Sequence, residues 1–218
     1  MTSEVRGEFH RELDRLDIAV GGLLGLVPEA VVAATTALLV SDESTADSLQ
    51  RWQVLVADMY RDVEHTIEVV VARQSPVAGD LRFLLACIRL VPGLHEVMDL
   101  ISDVAAPSHR AIGEHLTPRV ISLTEQLGEL TGSTWEAVEV GWRTREPRRT
   151  RVVRERLELA ADARSALAAE LGSGSLSLPV ALEMAVVGRT FDRLGHHARQ
   201  SARLVDSLSP RSPVEGLA

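Results

Sequence analysis

Apolar residues recur along this chain at steps of three and four over long stretches. Val5, Phe9, Leu13, Leu16, Val20, Leu23 and Val27 fall on one stripe, the spacing of a helix that buries one face and close to the heptad seam of a helical bundle. Gly21, Gly22 and Gly25 weaken that helix, and Pro28 is expected to kink or restart it before it resumes through Leu38 and Leu39. After the polar stretch Ser41 to Ser44, a second helix is predicted through Leu49, Val56, Met59, Val63, Ile67 and Val70, ending near Gln74. Ser75-Pro76 then reads as a stop and restart, a hydroxyl to cap the next helix followed by proline where no amide donor is needed. The third helix carries Leu81, Leu84, Leu85, Ile88, Val91, Leu94 and Met98, with Pro92 expected to bend it.

Ala106-Pro107 breaks the pattern. A fourth helix opens at Thr117-Pro118 and is marked by Leu123, Leu127, Leu130, Val138 and Trp142. The fifth follows Glu146-Pro147 and runs to Leu171, where Gly172-Ser173-Gly174 ends it, and the sixth runs from about Ser177 to Leu208. Residues 209–218, with two prolines and few apolar positions, read as a frayed tail. Three long helices, a break and three more make an all-α protein, with no alternating β-pattern in competition.

Composition agrees. Of 218 residues, 45% are hydrophobic and only 3% aromatic, and Ala, Leu, Val, Glu and Arg dominate between the breaks. All 23 basic residues are arginine, and asparagine is missing along with lysine. Both are encoded by codons that begin with two adenines, so their joint loss marks a GC-rich genome and takes weight away from arginine as a nucleic-acid signal. A net charge of −8 argues against a general affinity for phosphate backbones, so no nucleic-acid partner is expected. The single Cys87 excludes an intrachain disulfide, and the first residues lack the basic-then-apolar layout of a signal peptide, so cytoplasm is the expected compartment. Ala19 to Val40 is the most membrane-like stretch, but its glycines, Pro28 and Glu29 favour a packed helix over a span.

The third and sixth helices share a signature. At an offset of 97 residues, Leu94-His95-Glu96-Val97-Met98-Asp99 falls on Phe191-Asp192-Arg193-Leu194-Gly195-His196. His95 with Asp99, and Asp192 with His196, each stand four apart and share a helix face, as a preformed pair of nitrogen and oxygen donors. A bundle binds metal by aiming such pairs from facing helices at one point. The fifth helix offers Glu158 and Asp162 for this, whereas in the first half Gln53 and Ala57 occupy the matching place.

Pro76-Val77-Ala78-Gly79-Asp80-Leu81-Arg82 with Leu94 to Asp99, and Phe191-Asp192-Arg193-Leu194-Gly195-His196-His197-Ala198, resemble the two repeat signatures of the PhoU family of phosphate-transport regulators. The resemblance covers roughly residues 5 to 208. It implies two tandem three-helix bundles, residues 1–107 and 108–208, followed by the tail 209–218. It also implies a non-enzymatic regulator of phosphate uptake and of the phosphate-starvation two-component response. The partners it implies are the ATPase of a phosphate ABC transporter and a PhoR-type sensor histidine kinase. A homodimer is expected, with membrane association only through those partners. Several members bind multinuclear metal clusters through acidic pairs, and here His95 stands where the family has Glu, Gly93 where an acid is usual, and His196 where it has Asp. The expected metal site is therefore Glu158, Asp162, Asp192 and His196, with His95 and Asp99 as a weaker second set, for iron, manganese, zinc or nickel.

The bland alternative for both sets is a solvated helix face. The alternatives in function are a ferritin-like di-metal enzyme or metal-storage bundle, which would call for Glu-x-x-His motifs that the chain lacks, and a metal-free structural adaptor. His95-Glu96-Val97-Met98-Asp99 also resembles a zinc-protease helix with its second histidine replaced, but no third ligand accompanies it. Seven arginines between Arg143 and Arg156 form the one strongly basic segment, either an anionic docking patch or a solvated loop and helix start. Trp52, Trp135 and Trp142 are expected to pack, and Cys87 to be buried.

Overall fold

A computed structural model describes residues 2–73, 78–146 and 149–208. Six long helices carry the fold: α1 (Thr2–Val40), α2 (Glu43–Arg73), α3 (Ala78–Ala105), α4 (Pro118–Thr144), α5 (Arg149–Gly172) and α6 (Leu178–Leu208), and there is no strand among the described residues. Two short 3-10 turns, Ala106–Arg110 and Ile112–His115, replace the simple break expected at Ala106-Pro107. The Ser75-Pro76 restart, Pro147-Arg148 and the tail 209–218 lie outside the described residues.

Local chemistry sets the boundaries. Asp42 opens α2: its carboxylate accepts from the Ser44 and Thr45 amides at 3.0 and 3.2 Å and from both hydroxyls at 2.7 Å, which satisfies amides that the first turn leaves orphaned. Thr117 does the same for α4 through the Val120 amide, with Pro118 just inside the helix as expected. Arg145, in left-handed conformation at φ 54°, ends α4 by donating its amide to the Gly141 carbonyl at 3.0 Å.

Pro28 neither ends nor restarts its helix. α1 runs through it for 39 residues, and Pro92 likewise lies inside α3. Proline removes one backbone hydrogen bond, a cost that burial outweighs here: Leu16, Val20, Leu24, Val27, Val31 and Leu38 are all buried. α1 is long and apolar enough to cross a membrane, yet its apolar face forms the centre of this core.

α1, α2 and α3 pack on one another, as do α4, α5 and α6, and the two bundles lie side by side through α1 against α4 and α3 against α6. One apolar cluster runs through both. Trp142 helps close the junction: its indole donates to the Asp17 carbonyl at 3.2 Å, its ring lies against Phe83, and Arg145 covers it at 4.2 Å while pairing with Asp17. Trp135 and Cys87 are fully buried as expected, but Trp52 is exposed. The expected stripes need two corrections. Leu81, Leu85 and Ile88 of α3, and Met59 of α2, are exposed. Leu84, Val91, Leu94 and Met98 of the expected α3 stripe are buried, joined by Val97 and Ile101, so the covered face is rotated toward these residues where the helix packs against α6 as well as α1 and α2.

Candidate functional site

The duplicated signature places two polar clusters at equivalent positions, one in each bundle. In the first, His95 and Asp99 share a face of α3 with Nδ1 and Oδ2 3.6 Å apart, both about half exposed. Gln53 of α2 faces them, its amide donating to the Asp99 carboxylate at 3.0 Å and to the Met98 carbonyl at 3.4 Å. The Tyr60 ring stands edge-on to His95 with centroids 5.8 Å apart.

The second cluster lines a cleft of about 270 Å³ between α5 and α6, floored by Leu127 and Thr131 of α4. Asp192, His196 and Arg199 form the α6 wall, and Leu157, Ala161 and Arg164 the α5 wall. Gly195 lets the walls approach, since a Cβ there would stand 2.7 Å from Leu157 Cδ2. Arg164 Nε lies 3.6 Å from the Asp192 carboxylate. The His196 ring nitrogen meets the Gln200 side-chain nitrogen at 2.7 Å.

Glu158 and Asp162 are not brought to this cleft. Leu157 and Ala161, each one residue earlier, hold the facing positions, and one residue along a helix turns a side chain by about 100°. Glu158 points outward beside Arg154, 3.9 Å away, and Asp162 is exposed. On α2, Gln53 does face Asp99; on α5 the residues facing the cleft stand one position before the expected pair. Among the described residues, no three His, Cys, Asp or Glu side chains stand close enough to share a metal. The donor chemistry points the same way. A cation in the α5–α6 cleft would meet one carboxylate and one imidazole with two guanidiniums beside them, and at Asp99 it would displace the Gln53 amide. These residues do not fit the multinuclear cluster that the family resemblance implies.

Two features escaped the sequence reading. Arg164 and Arg199 line the cleft, and the spacing along α5 did not single out Arg164, because it shares the face of Leu157 and Ala161 and not that of Glu158 and Asp162. The other is the contact of α3 with α6, where Glu96 takes Arg193 at 2.6 Å and His197 at 3.4 Å. Hydrogen bonding from Arg193, then the charge of His197, holds the Glu96 carboxyl below its ordinary value. Glu96 therefore links the two bundles, where the zinc-protease resemblance would have made it a free base.

The basic segment is largely satisfied within the chain. Arg143 pairs with Glu139, Arg145 with Asp17, Arg151 with Glu155 and Arg154 with Glu158, and Arg156 donates to the Ser133 carbonyl.

Fold and clusters together define a class: a duplicated six-helix scaffold with one polar cluster per half. No model of a known protein family matches the chain. Curated relatives do, over nearly its whole length. It is 24% identical over 204 residues to the phosphate-specific transport system accessory protein PhoU homolog 1 of Mycobacterium leprae, covering 92% of both chains. With homolog 2 of Mycobacterium tuberculosis the identity is 24%, covering 92% of this chain and 96% of that one. With the homolog of Rhizobium meliloti it is 23% over 218 residues, covering 98% and 92%. The fold superposes on the crystal structure of PhoU from Pseudomonas aeruginosa with a TM-score of 0.83, at 22% identity over 92% of this chain and 98% of that one. For the phosphate transport system regulatory protein PhoU from Streptococcus pneumoniae the TM-score is 0.81, at 20% identity over 92% and 96%. In sequence and in fold, the chain is thus similar to PhoU proteins over more than nine-tenths of its length.

Proposed function

We propose that this protein is a cytoplasmic regulator of phosphate uptake and of the phosphate-starvation response, acting by binding proteins and not by catalysis. The observation that carries this is the match, over more than nine-tenths of the chain, to relatives named as accessory proteins of the phosphate-specific transport system. The partners this role calls for are the ATPase of the phosphate ABC transporter and a PhoR-type sensor kinase. The scaffold would act by binding one state of a partner better than another, since only differential affinity shifts such an equilibrium. The donor sets described above favour a metal-free form of this role, with Asp99 served by Gln53 and Asp192 by Arg164.

Deleting the gene tests the role. Alkaline phosphatase and transporter expression should rise in phosphate-rich medium and fall again on complementation. Unchanged expression of both would overturn the proposal.

A further inference from the structure

We propose that the α5–α6 cleft binds inorganic phosphate, with Arg164 and Arg199 on its oxygens and the Asp192 carboxylate accepting a hydrogen bond from its remaining O–H. The choice of phosphate among oxyanions rests on the regulatory role proposed above and on Asp192, whereas the anion site rests on the cleft alone.

Charge is the first support. The chain carries −8 overall, yet this cleft sets two guanidiniums against one carboxylate. Arg199 makes no hydrogen bond or ion pair among the described residues. Arg164 Nε is buried without a hydrogen-bond partner among them, because its 3.6 Å approach to Asp192 is an ion pair too long to satisfy the N–H. A buried donor left unmade is costly, and an oxygen placed in the cleft would satisfy it. Guanidinium forks match the oxygens of a tetrahedral anion better than any other side chain.

Asp192 supplies the selectivity. An ionised carboxylate only accepts hydrogen bonds. Phosphate near neutral pH keeps at least one O–H to donate to it, while sulfate has none and would meet the carboxylate as a bare charge. A site built to pair a ligand hydroxyl rejects the analogue that lacks one, because its own polar group is then left unpaired. The Asp192 carboxylate also holds the Arg164 guanidinium at the cleft, 3.6 Å away.

Isothermal titration of the purified chain with inorganic phosphate, sulfate and O-phosphoserine, at fixed ionic strength, tests this. The expected result is saturable one-to-one phosphate binding, weaker sulfate binding, and about tenfold loss of phosphate affinity in Arg199→Ala and in Arg164→Gln. Arg199 is exposed, so its variant should keep the parent's unfolding midpoint. Asp192→Asn should bind sulfate more tightly than the parent does and lose its preference for phosphate. No saturation at millimolar phosphate, or binding unmoved by all three substitutions, overturns the proposal. Tighter binding of O-phosphoserine would overturn inorganic phosphate as the ligand in favour of a phosphorylated partner. If deletion derepresses the phosphate genes while the cleft binds nothing, only this inference fails; if the cleft binds phosphate and deletion changes nothing, the regulatory role fails and the site stands.

Discussion

The α1–α4 crossing offers a sharp test of how the two bundles are held together. A Cβ added to Gly128 of α4 would stand 2.5 Å from Thr35 Oγ1, 2.7 Å from its Cγ2 and 2.9 Å from its Cβ. Ordinary carbon contacts are about 3.5–4.0 Å. Thr35 cannot easily turn aside: it is buried, β-branched, and its hydroxyl donates to the Val31 carbonyl at 2.8 Å. Gly128→Ala should therefore incur an overpacking cost of about 1–3 kcal/mol, against a helix-propensity gain of about 1 kcal/mol. The helices must shift apart, and the net is a loss of up to about 2 kcal/mol by the same two terms. For a chain of this size that lowers Tm by up to roughly 8 °C. Gly25 is the control. It is exposed on α1 with nothing within 4 Å of its added Cβ, so Gly25→Ala should raise stability by about 0.5–1 kcal/mol. Thr35→Ala removes the two shortest contacts and keeps the third, so a double-mutant cycle with Gly128→Ala should show favourable coupling of about 0.5–3 kcal/mol. Urea and thermal unfolding of the four variants measure all of this. If Gly128→Ala proves as stable as Gly25→Ala, or the cycle shows no coupling, the bundles do not meet in the way described.

Three further outcomes are expected. Equilibrium dialysis against Mn²⁺ or Zn²⁺ should find no stoichiometric metal on the parent, whereas Leu157→Glu with Ala161→Asp and Arg164→Ala puts two more carboxylates on the cleft face and should create binding; parent metal that disappears in Glu158→Ala would reverse the register assignment. The capping hydrogen bonds from Ser44 and Thr45 hold the Asp42 carboxyl down to about 2, against 3.8 unperturbed. Its stabilising contribution is thus fully present above pH 4 and lost as pH falls toward 2, so the unfolding midpoints of parent and Asp42→Ala should differ near neutrality and converge in acid; a constant gap would refute this. Burial pushes the Cys87 thiol up to about 12, so a disulfide reagent at pH 8 should leave it unmodified in the folded chain and label it fully in denaturant. Rapid labelling of the native protein would place Cys87 outside the core.

Most of the architecture was legible in the chain because helix boundaries are local. Thr117-Pro118 starts α4, Gly172 closes α5 and the 3.6-residue period marks each buried stripe, and all of these act within a turn or two. Pro28 misled for the converse reason. Its penalty is local, but the burial that outweighs it comes from neighbouring helices. The same limit applied to Leu81, Leu85 and Ile88, whose spacing is as helical as that of Leu84, Val91 and Leu94. Periodicity finds an apolar stripe but does not say which of two adjacent stripes a partner helix will cover.

By itself, then, the sequence determined six helices, their duplication, and the four signature side chains His95, Asp99, Asp192 and His196, because residues four apart on one helix share a face whatever surrounds them. What those side chains confront was decided by tertiary structure alone. Whether α5 presents Glu158 and Asp162 or Leu157 and Ala161 is a matter of about 100° of rotation, set by packing against α4 and α6 and not by the local chain. That rotation put Arg164 beside Asp192 and left an arginine-lined cleft where an acidic metal site was expected.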